Sequence, residues 1–317
     1  MKCASFFAGV GGIDLGFEQA GFKTVYANEI DKFAVETLKQ NFDFPIVHRD
    51  IHDVKVNEIP DFDIMLAGFP CQAFSVAGYR QGFDDEKGRG NLFFELERIF
   101  SAKKPPILFL ENVKNLVSHD KGNTFKIILE TLRHQGYHIK YQILNASEYG
   151  NIPQNRERIY IVCFLDKPAY EKFEFPKPID RQTTIADMLE DEQTIDKKFY
   201  YTGKTPFFHQ LTEEITHSRT LYQWRRQYVR ENKNQLCPTL TANMGTGGHN
   251  VPLLNVQGLP TTIRKLTPRE CFNFQGFPKD FQLPKNTSNA NLYKQAGNSV
   301  VVPVIARIAE QIKLALQ

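Results

Sequence analysis

Cys71 is the residue of this sequence best suited to act as a nucleophile. It lies in the turn Gly68-Phe69-Pro70-Cys71-Gln72, directly after a predicted strand, and ligands of open α/β sheets bind at the carboxyl ends of the strands. A thiolate in such a turn attacks electrophiles when nearby groups lower its pKa. Because a lone cysteine is more often a small buried apolar side chain, the interpretation depends on its neighbours.

An acid and two cations follow other predicted strands. Glu111 begins the segment Glu111-Asn112-Val113, and a carboxyl group in apolar surroundings can hold a proton and act as an acid. In Gln154-x-Arg156-x-Arg158 the alternate residues of an extended segment point the same way, although surface ion pairs are the simpler interpretation of the two arginines. One cysteine, one acid and one or two cations indicate covalent attack on an electron-poor ring that must be polarised.

A glycine-rich loop and two further acids indicate a second ligand. Phe6–Gly12 opens a helix, and its glycines allow a ligand to approach the helix N-terminus closely. Glu29 closes the second predicted strand and Asp50 follows the third, Ile46–Val47. Acids there can accept hydrogen bonds from ribose hydroxyls and an adenine amino group, although either alone is more often a solvated charge or a helix cap. Together, the loop and the two acids favour an adenosine-containing cofactor. Asp14 stands where a dinucleotide-binding loop has its third glycine, so a cofactor with a pyrophosphate is disfavoured.

These residues require a sheet that brings strand ends together. The first half of the chain alternates β-rich runs with amphipathic stretches, which predicts an α/β fold with a doubly wound, mostly parallel sheet. The predicted strands are Cys3–Phe6, Thr24–Ala27, Ile64–Ala67, Ile107–Leu110, His138–Leu144 and Ile159–Phe164. The predicted helices between them are Gly12–Ala20, Phe33–Asn41, Leu92–Ser101 and Asn123–Gln135.

The character of the sequence changes after Phe175-Pro176-Lys177-Pro178. From there to about Lys285 the segments are short, polar and aromatic, with turn signals such as Gly245–Gly248. The run Val300–Leu316 is again apolar at helical spacing. We therefore predict one domain formed by residues 1–182 and 290–317 and a smaller, loop- and strand-rich domain formed by residues 183–289.

Composition limits the class of protein. The 317 residues are 41% hydrophobic and 24% charged, which excludes disordered, collagen-like and disulfide-scaffold classes. No apolar run is long enough to cross a bilayer, and the N-terminal residues lack the apolar core of a secretion signal. The five cysteines are scattered and lack zinc-site spacing, which favours a reduced, cytoplasmic setting and no metal.

Six blocks of the sequence resemble, in the same order, motifs of the DNA (cytosine-5) methyltransferases, in particular the compact bacterial type II modification enzymes. The blocks are Phe7-Ala8-Gly9-x-Gly11-Gly12, Gly68-Phe69-Pro70-Cys71-Gln72, Glu111-Asn112-Val113, Gln154-x-Arg156-x-Arg158, Arg264-Lys265-Leu266-Thr267-Pro268-Arg269-Glu270-Cys271 and Gly297-Asn298-Ser299-Val300. The resemblance extends from Met1 to Gln317, except for roughly Thr184–Thr262. It implies the fold of S-adenosylmethionine-dependent methyltransferases, with catalysis in the larger domain and DNA recognition in the smaller.

The resemblance implies S-adenosylmethionine as the cofactor. It assigns to the cofactor pocket Phe7, Gly9, Gly11, Gly12, Glu29, Asp50, Ile51, Pro70, Leu92, Asn298 and Ser299. Two positions depart from the family pattern: Ile30 stands where relatives often have tryptophan, and Arg49 replaces a common glycine. Both departures concern only the packing around the adenine.

The resemblance also implies methyl transfer to C5 of a cytosine in a specific sequence of duplex DNA. Cys71 would add to C6, Glu111 would donate a proton to N3, and Arg158 would support the O2 side of the ring. Arg156 belongs to the same catalytic set, as a residue that positions its surroundings. C5 and C6 are stacked inside a duplex, so the base must be flipped out, and Gln72–Gly90 would close over it. A merely exposed loop is the simpler interpretation of that segment.

The smaller domain is expected to recognise the DNA sequence. His217–Gln235 has five Lys/Arg against one acid, whereas the whole chain has a net charge of only +3, and aromatic residues stand between these cations. Thr239–Asn250 resembles the target-recognition segment of the family. A charged helix face and a turn between strands are the alternatives for these two segments. The residues expected to contact DNA are Gln72, Ser75, Arg80, Arg225, Arg226, Thr239, Thr241 and Asn243.

Other functions share parts of this pattern. A transfer-RNA cytosine methyltransferase has the same catalytic domain, but the basic, aromatic insert before Arg264 favours duplex DNA. The set of Cys71, Glu111 and Arg158 disfavours a non-catalytic, cofactor-sensing DNA-binding module, and Asp14 disfavours a nicotinamide oxidoreductase. We predict a monomer without a membrane partner, which acts on double-stranded DNA and shares its site with a restriction endonuclease.

Overall fold

The structure, a computed structural model, describes residues 1–70, 92–225, 227–245, 250–256 and 262–317. The chain forms two compact units. The first comprises Met1–Leu144, Glu157–Pro176 and Ile305–Gln317, and the second comprises Asn145–Arg156 and Lys177–Val304. The division of catalysis and DNA recognition between residues 1–182 with 290–317 and residues 183–289 stays a prediction.

A seven-stranded sheet organises the first unit, in the order β3-β2-β1-β4-β5-β7-β6. Its strands are β1 (Lys2–Phe6), β2 (Lys23–Glu29), β3 (Ile46–His48), β4 (Ile64–Gly68), β5 (Ile107–Val113), β6 (His138–Asn145) and β7 (Glu157–Phe164). The pairs from β3 to β5 are parallel, and β7 runs antiparallel to β5. The prediction of an α/β fold with a mostly parallel sheet is confirmed.

The helices that follow these strands are α1 (Gly12–Gln19), α2 (Lys32–Asn41), α3 (Leu92–Lys103), α4 (Asn123–His134) and α6 (Lys167–Lys172). The second unit contains α5 (Ala146–Tyr149), α7 (Phe208–Glu214), α8 (Pro268–Asn273) and α9 (Asn289–Asn298), and α10 covers Val302–Ala315. Glycine at position 16 allows α1 to pack closely in the first unit, because a Cβ there would lie 2.6 Å from Ile305. Among the described residues, no helix is long and apolar enough to cross a membrane.

The second unit contains a four-stranded antiparallel sheet in the order β11-β10-β8-β9. Its strands are β8 (Tyr222–Trp224), β9 (Val229–Glu231), β10 (Leu253–Asn255) and β11 (Ile263–Lys265). The basic segment around residues 217–235 is therefore a β-hairpin and its flanks, and not a charged helix. The hairpin is anchored by a small core that includes Leu211, Tyr222, Trp224 and Val229.

A buried ion pair holds the segment between β11 and α8 in the second unit. Arg264 donates to both oxygens of Glu270 at 2.8 Å, and both side chains are fully buried. Glu192 accepts from Nε of the same guanidinium at 3.0 Å. Thr267 caps α8, and its backbone N–H donates to Glu270. The block Arg264–Cys271, which the sequence analysis identified only by its resemblance to the family, thus has a structural role.

Candidate active site

Glu111 and Arg158 face each other on neighbouring strands of the first unit. Glu111 lies inside β5, opposite Tyr160, and Arg158 lies opposite Val113 near the start of β7. Nε of Arg158 is 3.1 Å from Oε1 of Glu111, and the two side chains are only 13% and 10% exposed. The antiparallel pairing of β5 and β7 thus brings together two of the predicted catalytic residues.

The end of β4 lies beside this ion pair. Gly68 is paired with Glu111, and a Cβ at position 68 would lie 3.3 Å from Oε2 of Glu111. The buried amide of Asn112 donates to the carbonyl of Phe69 at 2.8 Å. Glycine therefore leaves room for the carboxylate, and Asn112 fixes the chain just before Pro70. Asn112 was part of a sequence block, but only the structure reveals this contact.

Cys71 lies outside the described residues, as do Gln72, Ser75 and Arg80. The other four cysteines, Cys3, Cys163, Cys237 and Cys271, are all buried. Burial raises the pKa of each of these four thiols above its ordinary value. A thiol with a raised pKa is a poor nucleophile, so these four cysteines are unsuited to the chemistry predicted for Cys71.

The glycine-rich loop connects β1 to α1 in a left-handed conformation. Phe7, Gly9 and Gly11 have φ angles of 55°, 58° and 82°. A Cβ at Gly11 would lie 2.3 Å from the ring of Phe42, whereas a Cβ at Gly9 would meet no described atom within 4 Å. Gly11 allows close packing, Gly12 is buried at the start of α1, and Gly9 leaves open space before the N-terminus of that helix.

Glu29 ties this loop to the end of β2. One carboxylate oxygen accepts from the backbone N–H of Gly9 at 2.7 Å. The other accepts from the N–H groups of Ile30 and Asp31 at 2.8 and 2.7 Å. A carboxylate has about four lone-pair sites, so this buried side chain keeps about one acceptor site for a ligand.

Three of the remaining predicted cofactor residues of this unit follow the carboxyl ends of β3 and β4, and the fourth begins a helix. Asp50 accepts from the backbone N–H and the ring of His52, at 3.0 and 2.6 Å, and Ile51 is buried in the core. Pro70 is exposed after β4, and Leu92 begins α3. Asn28 donates to the carbonyl of Arg49 at 2.9 Å, which holds the segment before Asp50 beside β2.

Arg156, Asn298 and Ser299 belong to the second unit. The buried Arg156 guanidinium donates to the carbonyls of Leu240 at 2.7 Å and Gly297 at 3.0 Å, and to that of Ser299. Asn298 ends α9 and Ser299 caps it. Arg156 thus connects three backbone positions within this unit.

Gln154 and Arg156 together hold the segment that contains Thr239 and Thr241. The Gln154 side chain accepts from the backbone N–H of Leu240 at 3.2 Å, and Arg156 donates to the carbonyl of the same residue. Thr239 donates to the carbonyl of Asn155 at 2.6 Å. The sequence had placed Gln154 in a motif without a role, and this contact supplies one.

A cavity of about 870 Å³ in the second unit is lined by all four of the described residues that are expected to contact DNA. Its lining includes Arg225, Thr239, Thr241 and Asn243, and the hydroxyl of Thr241 donates to the Asn243 side chain at 2.5 Å. Arg226 lies outside the described residues. The cavity lining also contains Gln223 and Arg230. Arg230 was counted among the cations of the basic segment but not among the individual DNA contacts, and Gln223 was not singled out from the sequence.

Comparisons with known proteins agree on one family. The family model of C-5 cytosine-specific DNA methylases matches residues 1–314. The chain is 61% identical to the type II methyltransferase M.Bsp6I of Bacillus sp. (strain RFL6), with 98% of each chain covered. It is 43% identical to M.NlaX of Neisseria lactamica, with 99% of this chain and 97% of that protein covered. A solved structure of a DNMT2 mutant from Spodoptera frugiperda shares the fold, with a TM-score of 0.74 and 20% identity over 100% of this chain and 99% of that one.

Proposed function

Because this chain belongs to the family of C-5 cytosine-specific DNA methylases, it is a DNA (cytosine-5) methyltransferase, and we propose which of its residues carry out the reaction. The observation that carries the proposal is the Glu111–Arg158 pair, 3.1 Å apart beside the end of β4. The chain continues from that strand end directly into the Phe69-Pro70-Cys71 segment. A nucleophile, an acid and a cation are the groups that activation of a cytosine ring requires.

Cys71 activates the ring by adding its thiolate to C6 of the flipped-out cytosine. Glu111 in its protonated form donates to N3, and the carboxylate that remains is the ion-pair partner of Arg158. Arg158 stabilises the charge that develops at O2, so that electron density moves to C5. C5 then forms a bond to the methyl group as the bond from that methyl group to the sulfonium sulfur of its donor breaks, and the donor leaves as a neutral thioether. Solvent accepts the C5 proton as the Cys71 thiolate is eliminated, and N3 returns its proton to Glu111, which restores the neutral aromatic ring and releases the product.

S-adenosylmethionine supplies the methyl group as an electrophile in this family, and the first unit has a cradle that fits it. The open space over Gly9 lies before the N-terminus of α1, and Glu29 keeps about one acceptor site for a ribose hydroxyl. We assign the adenine to the neighbourhood of Phe7, Asp50 and Ile51. Pro70 and Leu92 flank the same pocket in this proposal, and a contribution from Asn298 and Ser299 stays a prediction.

Arg156 acts in this proposal as a positioning residue. It is buried and donates to three backbone carbonyls, so its guanidinium is engaged in holding backbone and not in holding a base. Together with Gln154 it fixes the segment around Leu240, whose neighbours Thr239 and Thr241 are expected to contact DNA.

The proposed biological role is that of the modification half of a restriction-modification system. Two observations support this role: the relatives include type II methyltransferases, and the second unit has a basic hairpin. We propose a cytoplasmic monomer that methylates one short sequence of double-stranded DNA. A cognate endonuclease would cut the same sequence when it is unmethylated.

Transfer of labelled methyl groups from S-adenosylmethionine to unmethylated bacterial DNA tests the function, with bisulfite conversion to map the sites. Label at C5 of cytosine in one short repeated sequence is expected. Transfer RNA serves as the parallel substrate. Preferential transfer to transfer RNA would replace the DNA assignment, and cofactor binding without transfer to either substrate would favour a regulator.

A further inference from the structure

The hairpin formed by β8 and β9 presents two side chains as a pair on one face. Gln223 and Arg230 are directly opposite each other in the register. Their neighbours along the strands, Tyr222, Trp224 and Val229, are at most 9% exposed and form part of the small core. Because successive side chains of a strand point to opposite faces, the core fixes Gln223 and Arg230 on the outward face.

Both side chains line the 870 Å³ cavity of the second unit. Within the part of the chain that the structure describes, neither the Gln223 amide nor the Arg230 guanidinium makes a hydrogen bond or an ion pair. Other amide side chains line the same cavity, among them Asn234 and Asn250. Amides and a guanidinium with free donors and acceptors are the groups that recognise the edges of bases.

We propose that Gln223 and Arg230 are a base-reading pair that determines part of the target sequence. Arg230 donates two hydrogen bonds to O6 and N7 of a guanine in the major groove, and Gln223 contacts the neighbouring base pair. A two-stranded β-ribbon fits that groove. The Cβ atoms of an opposed pair are roughly 5 Å apart, which allows contact with two successive base pairs about 3.4 Å apart. The inference rests on the proposed methylation of duplex DNA.

Other cations around the cavity differ from Arg230 in their position. Arg225 lies in the turn of the hairpin, where its backbone N–H donates to Tyr228 at 2.9 Å, and Lys233 follows the end of β9. Neither is held opposite a partner by strand pairing. Base contacts carry the sequence information, whereas phosphate contacts position the protein on the duplex, and strand pairing holds Arg230 in register with Gln223. We therefore assign base reading to Arg230 and phosphate contact to Arg225 and Lys233.

Methylation of a randomised duplex library, with the methylated sequences mapped for each variant, tests the assignment. Arg230→Ala is expected to reduce the preference for guanine at one position by about 5- to 150-fold, while the other positions keep their preferences. Arg230→Lys keeps the charge but lacks the planar fork, so it is expected to lose the same preference. Gln223→Ala is expected to change the preference only at a base next to that guanine.

Arg219→Ala is the matched control, because Arg219 is an exposed arginine of the same basic segment that does not line the cavity. It is expected to keep every sequence preference. An Arg230→Ala variant that keeps the wild-type preference at every position overturns the inference, even though the enzyme methylates DNA. A wild-type protein that methylates no duplex overturns the proposed function instead. If Arg230→Ala is inactive, selection of bound duplexes from the same library applies the same criterion.

Discussion

At the scale of single residues, Glu111 is the acid on which the proposed chemistry depends. Glu111→Gln is expected to lower the rate of methyl transfer by about 10²- to 10⁴-fold, because an amide cannot deliver a proton to N3. Cofactor affinity is expected to stay unchanged, since Glu111 lies on β5 beside Arg158 and Gly68 and not in the loop around Gly9. Single-turnover rates and a cofactor titration measure the two effects separately.

Glu157→Gln is the control for this substitution. Glu157 begins β7, and its half-exposed carboxylate pairs with Lys114 at 2.9 Å. Removal of its charge is expected to leave the rate nearly unchanged, because exposed ion pairs stabilise proteins little. If Glu111→Gln weakened cofactor binding as strongly as it slowed methyl transfer, a structural role for Glu111 would replace the catalytic one.

Cys71→Ser is expected to abolish turnover and to leave cofactor binding intact. A serine hydroxyl is a far weaker nucleophile than a thiolate at neutral pH, whereas the assigned cofactor contacts do not use the thiol. Methyl transfer and cofactor binding are measured on the same preparation. Loss of both would indicate that Cys71 is needed for the structure and not for the chemistry.

Residue types at strand ends could be predicted from the sequence, but their partners could not. Glu111, Glu29 and Asp50 were identified from their positions after apolar runs. The contact between Glu111 and Arg158 depends on the register of β5 with β7, and no local pattern specifies that register. Likewise, the three backbone donors to Glu29 depend on the path of the glycine loop.

At the scale of elements, Asp14 places a buried carboxyl group where α1 meets the sheet. Its oxygens accept from Ser5 on β1 at 2.9 Å and from Thr24 on β2 at 3.2 Å. Burial raises the pKa of Asp14 from 3.8 to about 7, and the nearby Glu18 adds to the rise, although the two hydroxyl donors lower it. The folded protein therefore binds a proton that the unfolded chain releases at a much lower pH.

Asp14→Asn is expected to gain stability relative to the wild type as pH rises from about 4 to about 7. Because the pKa of Asp14 is higher in the folded protein than the value of 3.8 in the unfolded chain, its contribution to stability is fully present below pH 3.8. This contribution is lost as pH rises through about 7, the pKa in the folded protein. The relative gain amounts to at most about 4 kcal/mol. Urea unfolding at pH 5 and pH 8 measures the part of this gain that falls between these two pH values, about 2 to 3 kcal/mol, with the almost fully exposed Asp61 as the site of a control substitution. A difference between Asp14→Asn and the wild type that is independent of pH would contradict the ionisation of Asp14 in this range.

The long periodic elements were predictable, and the short ones were not. The strands of the first unit agree with their predicted positions to within one residue, except that β5 and β2 continue to Val113 and Glu29 and β7 begins two residues early, at Glu157. These extensions include polar residues, which apolarity alone excludes. The hairpin of β8 and β9 has three residues in each strand. Three residues are too few for an alternation of buried and exposed side chains to be recognised in a segment with so many charged residues.

At the scale of the whole molecule, charge is concentrated in one segment. His217–Gln235 has five cations and one acid, while the entire chain has a net charge of +3. Because phosphate contacts release counterions, DNA affinity is expected to fall as salt increases, with a slope set by the number of phosphates contacted. The described cations of this segment that line the cavity are Arg225, Arg230 and Lys233.

Substitution of both Arg225 and Lys233 by alanine tests whether this segment supplies the phosphate contacts. The slope of log affinity against log salt is expected to decrease in magnitude by about 1.8, since each contact contributes about 0.9. Lys126→Ala with Lys167→Ala removes the same charge from exposed sites of the first unit and is expected to leave the slope unchanged. Equal changes for the two double variants would mean that net charge governs binding, because a global field does not distinguish where a cation is removed. A change confined to Arg225 and Lys233 would locate the phosphate contacts at the hairpin that also presents Arg230.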